Sequence, residues 1–198
     1  LTGAKPAGVP YIEGASAFDI DRDGKVDILA CDSWFKHMGG KSFKQVQFAV
    51  GGGLIFAGHF KPSKYPQIVI SPGDAGGRVR LYECVGNPEN AADWKPRDLL
   101  DREVIHGHSL QIADINGDGN KEVIGSGMST GPLYAWDYRG RVVPGWPTGH
   151  TGMAYPAALD MDGDGKAEVA SSFCDQDGKW GIFDRHGEPE FRRGERSV

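Results

Sequence analysis

The segment FDIDRDGKVDIL, residues 18–29, decides how this chain folds. It places acidic side chains at alternate positions, follows them with a glycine, and then runs into an apolar, β-branched stretch. Two further segments repeat this pattern position by position: ADINGDGNKEVI at residues 113–124 and LDMDGDGKAEVA at residues 159–170. A loop that occurs three times and leads each time into a strand predicts a repetitive β-architecture.

A fourth copy with an altered loop lies at residues 58–69, GHFKPSKYPQIV. If the first acidic residue of each loop is position one, this copy keeps the apolar residue at position two and the strand that follows position nine. Its residues at the polar positions are different: His59, Lys61, Ser63 and Gln67. We expect that this set does not hold a cation and that the copy is structural.

The spacing of the loops indicates the architecture. The residues at position one lie 40, 55 and 46 residues apart: Asp19, His59, Asp114 and Asp160. A period in the forties is that of one four-stranded β-propeller blade. We therefore predict an all-β fold of β-propeller blades, each a four-stranded antiparallel sheet. About four blades form one domain, either complete or part of a larger propeller, with repeats near residues 14–55, 56–105, 106–152 and 153–198.

Strand patterns fit this frame. Strands are predicted after the loops and in three aromatic or β-branched runs: residues 27–30, 67–70, 122–124 and 168–170, then 79–84, 133–137 and 179–183. The longest interval contains residues 85–102, predicted as a surface insertion with a short helix at 91–100. Trp136 is expected in the core, and Trp146, between Gly145 and Pro147, is expected at the surface, where it is available to stack on a sugar ring.

Composition excludes several classes of protein. The 30 glycines and 12 prolines are typical of an all-β protein with many turns. A net charge of −5 argues against a nucleic-acid partner, and the absence of an apolar run of about 18 residues predicts no transmembrane helix. Because Leu1 is not an initiator and no signal segment follows it, we expect a processed, trimmed or partial chain.

The three cysteines leave two states open. Cys31, Cys84 and Cys174 contain no CxxC pair, so a thiolate zinc site is not predicted. One disulfide, for example Cys31–Cys84, and buried thiols are both compatible with the sequence.

The chemistry of the loops points to calcium, which binds six to eight oxygen atoms in a flexible geometry. Carboxylates at alternate positions of a tight loop converge on one point, and a glycine at position six permits the sharp turn. Side chains at positions one, three, five and nine and the carbonyl at position seven are the predicted ligands. The three predicted sites are Asp19, Asp21, Asp23, the Lys25 carbonyl and Asp27; Asp114, Asn116, Asp118, the Asn120 carbonyl and Glu122; and Asp160, Asp162, Asp164, the Lys166 carbonyl and Glu168.

The loops differ from EF-hands at position twelve. An EF-hand has a bidentate Glu there, whereas these loops have Ala30, Gly125 and Ser171. A strand, not a helix, follows each loop, so the predicted sites are strand–loop–strand sites. The alternatives are metal-free Asp-Gly turns and magnesium, which is disfavoured because it demands a rigid octahedron.

These residues resemble the FG-GAP and VCBS repeat families, which include the calcium-loop blades of integrin α-subunit propellers and many secreted bacterial proteins. The likeness rests on the three Asp loops with their lead-ins at residues 14–18, 107–111 and 155–158, and on residues 133–137 with 145–147. It implies a propeller, calcium, and an extracellular or cell-surface location. Such propellers usually have about seven blades, so the resemblance also implies completion by further blades, a four-bladed closure, or association with another chain.

Three functions are compatible with the sequence. The first is a secreted module in which calcium stiffens the blades and a surface binds carbohydrate or protein, as in adhesion. The second is a polysaccharide lyase or sugar dehydratase-like enzyme, as the resemblance allows, with His59, His108 and His150 as candidate catalytic residues and Tyr155 or Arg141 assisting. The third is a structural subunit that self-associates or is completed by other blades.

Overall fold

The computed structural model describes residues 13–73, 76–103, 110–126, 132–148, 156–172, 180–184, 186–187 and 189–192. Within these ranges, fifteen β-strands form four antiparallel sheets, and the helical content is one 3-10 turn at Ala91–Asp93. The predicted all-β class is therefore confirmed. No helix in these ranges is long and apolar enough to cross a membrane.

The first two sheets each contain four strands in chain order, with every strand paired to its sequence neighbour. Such a meander is the strand order of a propeller blade. The strands of the first sheet are β1 (Ala15–Phe18), β2 (Asp27–Ala30), β3 (Ser33–Gly39) and β4 (Ser42–Gln47). The strands of the second sheet are β5 (Ile55–Gly58), β6 (Gln67–Ile70), β7 (Arg80–Cys84) and β8 (Trp94–Asp98).

The third and fourth sheets repeat this order. The third has three strands, and Val142 adds an isolated bridge to Trp136 where a fourth would lie. Its strands are β9 (Leu110–Ala113), β10 (Glu122–Ser126) and β11 (Leu133–Trp136). The fourth sheet contains β12 (Ala157–Leu159), β13 (Glu168–Ser172), β14 (Trp180–Phe183) and β15 (Pro189–Arg192).

The core lies between successive sheets. Side chains alternate across a strand, so each sheet has a rear face toward the preceding sheet and a front face toward the next. The strand after each loop shows this directly: the residue at position ten lies on the rear face and the residue at position eleven on the front face. The buried residues at these positions are Ile68, Val123 and Val169 at the rear, and Leu29, Val69 and Ile124 at the front.

Polar contacts also join neighbouring sheets. The Lys121 amide donates to the His59 carbonyl at 2.8 Å, and the Ala167 amide donates to the Asp114 carbonyl at 2.9 Å. Both bonds run from position eight of one loop to position one of the preceding loop. A different hydrogen-bonded contact joins the first and second sheets. The indole N–H groups of Trp34 and Trp94 both donate to the Pro88 carbonyl, at 3.3 and 2.8 Å.

The predicted helix at residues 91–100 is wrong. The Asn90 side chain accepts from the Ala92 amide and starts only the single turn at Ala91–Asp93. The chain then pairs with β7 as strand β8, in which Trp94 lies opposite Cys84 and is buried. Burial of this indole against the first sheet outweighs the weak helical signal of the segment.

The predicted exposure of Trp146 is also wrong, because its side chain is only 6% exposed and packs with Ile115 and Val143. Trp136 is buried, as predicted. Cys31 and Cys84 are thiols, so the disulfide between them is not formed. Cys174 lies outside the described residues.

Candidate functional site

All four loops share one hydrogen-bonded frame. In each, the side chain at position nine lies at the start of a strand and accepts a hydrogen bond from the amide at position two. The four pairs are Asp27 with Ile20 at 3.0 Å, Gln67 with Phe60 at 2.9 Å, Glu122 with Ile115 at 3.1 Å, and Glu168 with Met161 at 2.8 Å. The frame therefore depends on the side-chain oxygen at position nine and not on its charge.

The first loop is wrapped around the carboxylate of Asp19. This group accepts from the amides of Asp23 and Gly24, at 3.1 and 3.0 Å. Carboxylate oxygens of Asp19, Asp21 and Asp27 lie within 4.8 Å of one another. A cluster of three carboxylates at this separation has the hard oxygen donors that calcium takes, so these residues fit the ion.

The loop at residues 160–168 has the same arrangement. Asp160 accepts from the amides of Gly163 and Gly165, at 2.7 and 3.0 Å. Oxygens of Asp160, Asp162 and Glu168 lie within 4.8 Å of one another. This site is more exposed than the first, but its donor chemistry is equally suited to calcium.

The carboxylates at position five do not join these two clusters. Asp23 pairs with the Lys25 ammonium at 2.9 Å, and Asp164 pairs with the Lys166 ammonium at 2.9 Å. The lysine hydrogen bond to Asp23 lowers the pKa of that carboxyl. Side chains at positions five and seven therefore neutralise each other beside the cluster, which the alternation of the sequence does not reveal.

The loop at residues 114–122 has an amide at position three. Its Asn116 Nδ2 donates to Glu122 at 3.3 Å, while the Asp114 carboxylate accepts from the amides of Gly117 and Gly119. Glu122 is only 2% exposed. Burial, the dominant cause, raises the pKa of Glu122 to about 7, and the nearby Asp118 and Asp114 charges act in the same direction. A bound cation would stabilise the ionised carboxylate of Glu122 and lower its pKa.

The altered loop, at residues 59–67, is closed by the neutral side chain of Gln67. Gln67 is buried, and its Nε2 donates to Ser63 Oγ at 2.5 Å and to the Tyr65 carbonyl at 3.2 Å. Ser63 is at position five and Tyr65 at position seven, the positions whose oxygens are the predicted ligands in the other loops. The side-chain amide thus donates to oxygens at positions five and seven, where the other loops have predicted metal ligands, which supports a structural role for this loop.

Lys36 contacts the first loop although it lies outside the repeated loop sequence. It lies on β3, and its ammonium is 2.6 Å from Asp21 of the first loop and 2.6 Å from Glu89. Hydrogen bonds to Asp21 and then to Glu89 raise the pKa of Lys36. Its location opposite the loop follows from the pairing of β2 with β3, and no local sequence signal indicates it.

A groove of about 420 Å³ lies beside the loop at residues 114–122. One wall is formed by loop residues, including Asn116 and Asp118, and the other by the turn that follows β11, including Tyr138, Arg139 and Arg141. The Arg141 guanidinium pairs with Asp137 at 2.7 Å. The Arg139 guanidinium lies over the Tyr138 ring, 4.6 Å from its centroid, and pairs with no carboxylate among the described residues.

The candidate catalytic residues are only partly described. His59 is half-buried, and its ring meets Phe18 edge-on with centroids 6.1 Å apart. Arg141 lines the groove, but its partner is Asp137. His108, His150 and Tyr155 lie outside the described residues, so the proposed trio stays a prediction.

The loops at residues 114–122 and 160–168, with the sheet between them, identify the repeat. Residues 114–171 match the family model described as FG-GAP-like repeat. This segment is similar to FG-GAP-like repeats. The resemblance inferred from the sequence is therefore confirmed for the segment that carries two of the three acidic loops. No curated protein sequence matches the chain.

A solved structure shares this fold over most of the chain. The crystal structure of BBS1N in complex with ARL6DN, soaked with lead, has 10% sequence identity and a TM-score of 0.60, and the match covers 94% of this chain and 58% of that one. This chain thus spans less than two thirds of that structure. The V. cholerae biofilm matrix protein Bap1 has 13% identity and a TM-score of 0.40, with 96% and 40% of the two chains covered. The four antiparallel sheets are propeller-like in their strand order.

Proposed function

We propose that this chain is an extracellular calcium-binding β-propeller module whose ions are structural and whose surface binds carbohydrate or protein, as in adhesion. The observation that carries the proposal is the convergence of carboxylate oxygens within 4.8 Å in the loops at residues 19–27 and 160–168. Like charges at this separation repel, and a divalent cation converts the repulsion into attraction.

The geometry supports a structural role for the ions. Each acidic loop leads directly into a central strand of its blade, so an ion there joins a loop to a strand. In the loops at residues 114–122 and 160–168, the position-eight amide also bonds to the preceding sheet. Exposed loops of this kind suit affinities on the order of 10⁻⁴ to 10⁻³ M, those of extracellular modules.

The groove beside the loop at residues 114–122 is the proposed ligand surface. The Arg139 guanidinium has an aromatic partner but no carboxylate within the described residues. The opposite wall carries the amides of Asn116 and Asn120 and the carboxylates of Asp118 and Glu122, whose charge a calcium ion in this loop would neutralise. An acidic carbohydrate fits this combination, because its carboxylate pairs with arginine and its hydroxyls hydrogen-bond to Asn116 and Asn120. A protein ligand is the alternative that binding experiments distinguish.

Calcium titration tests the metal. Isothermal titration calorimetry of the chelator-treated chain should show up to three sites, and Asp19→Asn or Asp160→Asn should each remove one. Saturation at about 100 times the dissociation constant should stabilise the fold by about 2.7 kcal/mol. A melting temperature that is unchanged between chelator and calcium contradicts the proposal.

Glycan-binding measurements test whether the groove binds an acidic carbohydrate. Calorimetry with uronate oligosaccharides in calcium should give binding that Arg139→Ala weakens and Arg97→Ala, a surface arginine paired with Glu83, does not. Binding that is equal in both variants rules out the groove. Neutral oligosaccharides of the same length are the control for charge.

The lyase alternative is decided by experiment, because His59 is the one histidine of the proposed trio within the described ranges. Release of unsaturated uronate product, followed by ultraviolet absorbance, would support the enzyme hypothesis directly.

A further inference from the structure

A second pocket, of about 250 Å³, lies between the first and second sheets. Its walls are the connection that follows β4, at residues 50–52, the segment between β6 and β7, at residues 71–72 and 76–78, and the rear face of β7. The repeated loops precede β2, β6, β10 and β13, whereas this pocket lies where β6 ends and β7 begins. It therefore opens at the opposite end of the strands from the acidic loops and from the groove beside residues 114–122.

Two arginines, Arg78 and Arg80, are the charged side chains that line this pocket within the described residues. They share one carboxylate: Asp98 Oδ1 lies 3.3 Å from Arg80 Nε, and Asp98 Oδ2 lies 3.7 Å from Arg78 Nε, which is beyond hydrogen-bond distance. Arg78 Nη1 also donates to the Leu100 carbonyl at 3.4 Å. Two cations and one anion leave the cluster positive, and most N–H groups of the two guanidiniums have no acceptor in the part of the chain that the structure describes.

A buried ring positions one of these arginines. Tyr82 pairs directly with Ile68 on the rear face of the second sheet, so Arg80, two residues before Tyr82, lies on that face too. Arg80 hydrogen-bonds to the Tyr82 side chain. The Tyr82 ring is 4% exposed and meets the Phe48 ring edge-on, with centroids 5.2 Å apart. The guanidinium is therefore partly ordered before any ligand binds, which lowers the entropic cost of binding.

Much of the remaining lining is glycine backbone, at Gly51, Gly52, Gly76 and Gly77. Gly52 packs so closely on the first sheet that a Cβ would collide with the Cys31 carbonyl, so no side chain fits at this part of the wall. At about 250 Å³ the pocket is smaller than the ~300–1,000 Å³ typical of sites that enclose a drug-sized ligand. It has room for one small polar group beside the guanidiniums.

We propose that this pocket binds a small oxyanion, a sulfate or carboxylate group, through Arg78 and Arg80. Guanidinium groups form charge-assisted and often bidentate hydrogen bonds to such groups. Asp98 is exposed and competes weakly, because an exposed ion pair contributes little free energy. The Asp32 carboxylate accepts hydrogen bonds from two side chains of the first sheet and forms no ion pair with either arginine within the described ranges. The site needs no calcium and is separate from the groove.

Titration of the full chain with sodium sulfate and with galacturonate monosaccharide tests the site. The two probes separate two sources of an oxyanion, a free inorganic anion and the acid group of a sugar. Calorimetry at constant ionic strength should show saturable binding of at least one probe, and NMR should show shifts of the glycine amide signals that line the pocket. Galactose and sodium chloride should produce neither effect. Arg78→Gln should weaken binding about tenfold, whereas Arg97→Gln, at a similarly exposed arginine that pairs with Glu83, should not.

Asp98→Asn separates anion binding from a purely structural role of the arginine cluster. Removal of the competing carboxylate should strengthen anion binding about two- to fivefold, the range expected for an exposed ion pair. A purely structural cluster gives no such gain. Circular dichroism and melting temperature verify that each variant is folded.

The relative affinities identify the source of the oxyanion. Tighter binding of galacturonate than of sulfate identifies a sugar acid as the ligand, and the reverse order identifies a free anion. Lack of saturable binding for both probes overturns the proposal, as does a folded Asp98→Asn variant that binds no more tightly, or an equal loss in Arg78→Gln and Arg97→Gln. Binding should persist in chelator and in Arg139→Ala, which separates this proposal from those of the calcium sites and the groove.

Discussion

Gln67 Nε2 donates a hydrogen bond to the Tyr65 carbonyl at 3.2 Å, across the interior of the one loop that lacks carboxylates. The same nitrogen contacts Ser63 Oγ, and Gln67 Oε1 accepts from the Phe60 amide. One amide side chain therefore supplies both the acceptor that maintains the loop frame and the donor to the oxygens at positions five and seven.

Gln67→Glu should destabilise the protein and not create a metal site by itself. The substitution replaces a buried donor with a carboxylate oxygen that faces the Tyr65 carbonyl, and His59 and Lys61 supply no carboxylate at positions one and three. The expected loss is about 1–3 kcal/mol in urea unfolding. Gln45→Glu, at an exposed residue of β4, is the control, and an equal effect of both substitutions would contradict the interpretation.

Glu122 should make the metal-free protein less stable as pH rises. The pKa of Glu122 is about 7 in the folded protein against an ordinary 4.5, so between these values the folded state binds the proton more tightly than the unfolded state. Stability that is present below pH 4.5 is therefore lost as pH increases to about 7, by up to ~3 kcal/mol. Burial raises the pKa of Asp27 in the same direction.

Glu122→Gln should remove most of this pH dependence. In chelator at pH 7 the variant should be more stable than the wild type, because its neutral amide resembles that of Gln67, and it should lose the calcium site of its own loop. Glu83→Gln, at a surface ion pair, is the control. Urea unfolding at several pH values measures the slope of the free energy of unfolding against pH. An unchanged slope in Glu122→Gln would show that another group causes the pH dependence.

Lys36→Met should strengthen calcium binding at the first loop. The ammonium lies 2.6 Å from Asp21 and competes with the ion for a carboxylate of the cluster, so its removal should raise affinity there by up to about tenfold, or ~1.4 kcal/mol. Lys44→Met is a matched control, since Lys44 contacts Glu89 at 2.7 Å but makes no contact with the loop. Calorimetric titration should show the change for Lys36→Met alone, with the site at residues 160–168 unaffected.

Trp34→Phe should weaken the packing and the hydrogen bonding between the first and second sheets. Trp34 is 0% exposed, and its indole N–H shares the Pro88 carbonyl with Trp94. Loss of the bond and of ring volume should cost about 1–3 kcal/mol in urea unfolding. Phe56→Leu, at a half-buried ring between the second and third sheets, is a control that leaves the Pro88 contact intact.

The strands after the loops could be predicted from the sequence because their signal is local. Residues 27–30 and 67–70 are strands with the predicted bounds, since an apolar, β-branched run follows a turn that glycine or proline fixes. The 91–100 segment could not be predicted, because its conformation depends on the burial of Trp94 beneath a distant sheet.

The contacts that distinguish the loops from one another could not be predicted from the sequence. Lys36 reaches Asp21 only because β3 folds back along β2, and Trp146 is buried only because its turn packs on β9 and β10. Such relationships arise from tertiary packing, which a repeat pattern does not encode. The carboxylate clusters at positions one, three and nine, in contrast, follow from spacing, whereas the pairing of position five with a lysine does not.

The shared bond between positions two and nine has a consequence for protein engineering. Since Asp, Glu and Gln all make it, the same loop backbone is compatible with a charged and with a neutral residue at position nine. Under the calcium proposal, the metal requirement of one blade is therefore open to change by substitutions in its own loop, while the neighbouring sheets keep their packing.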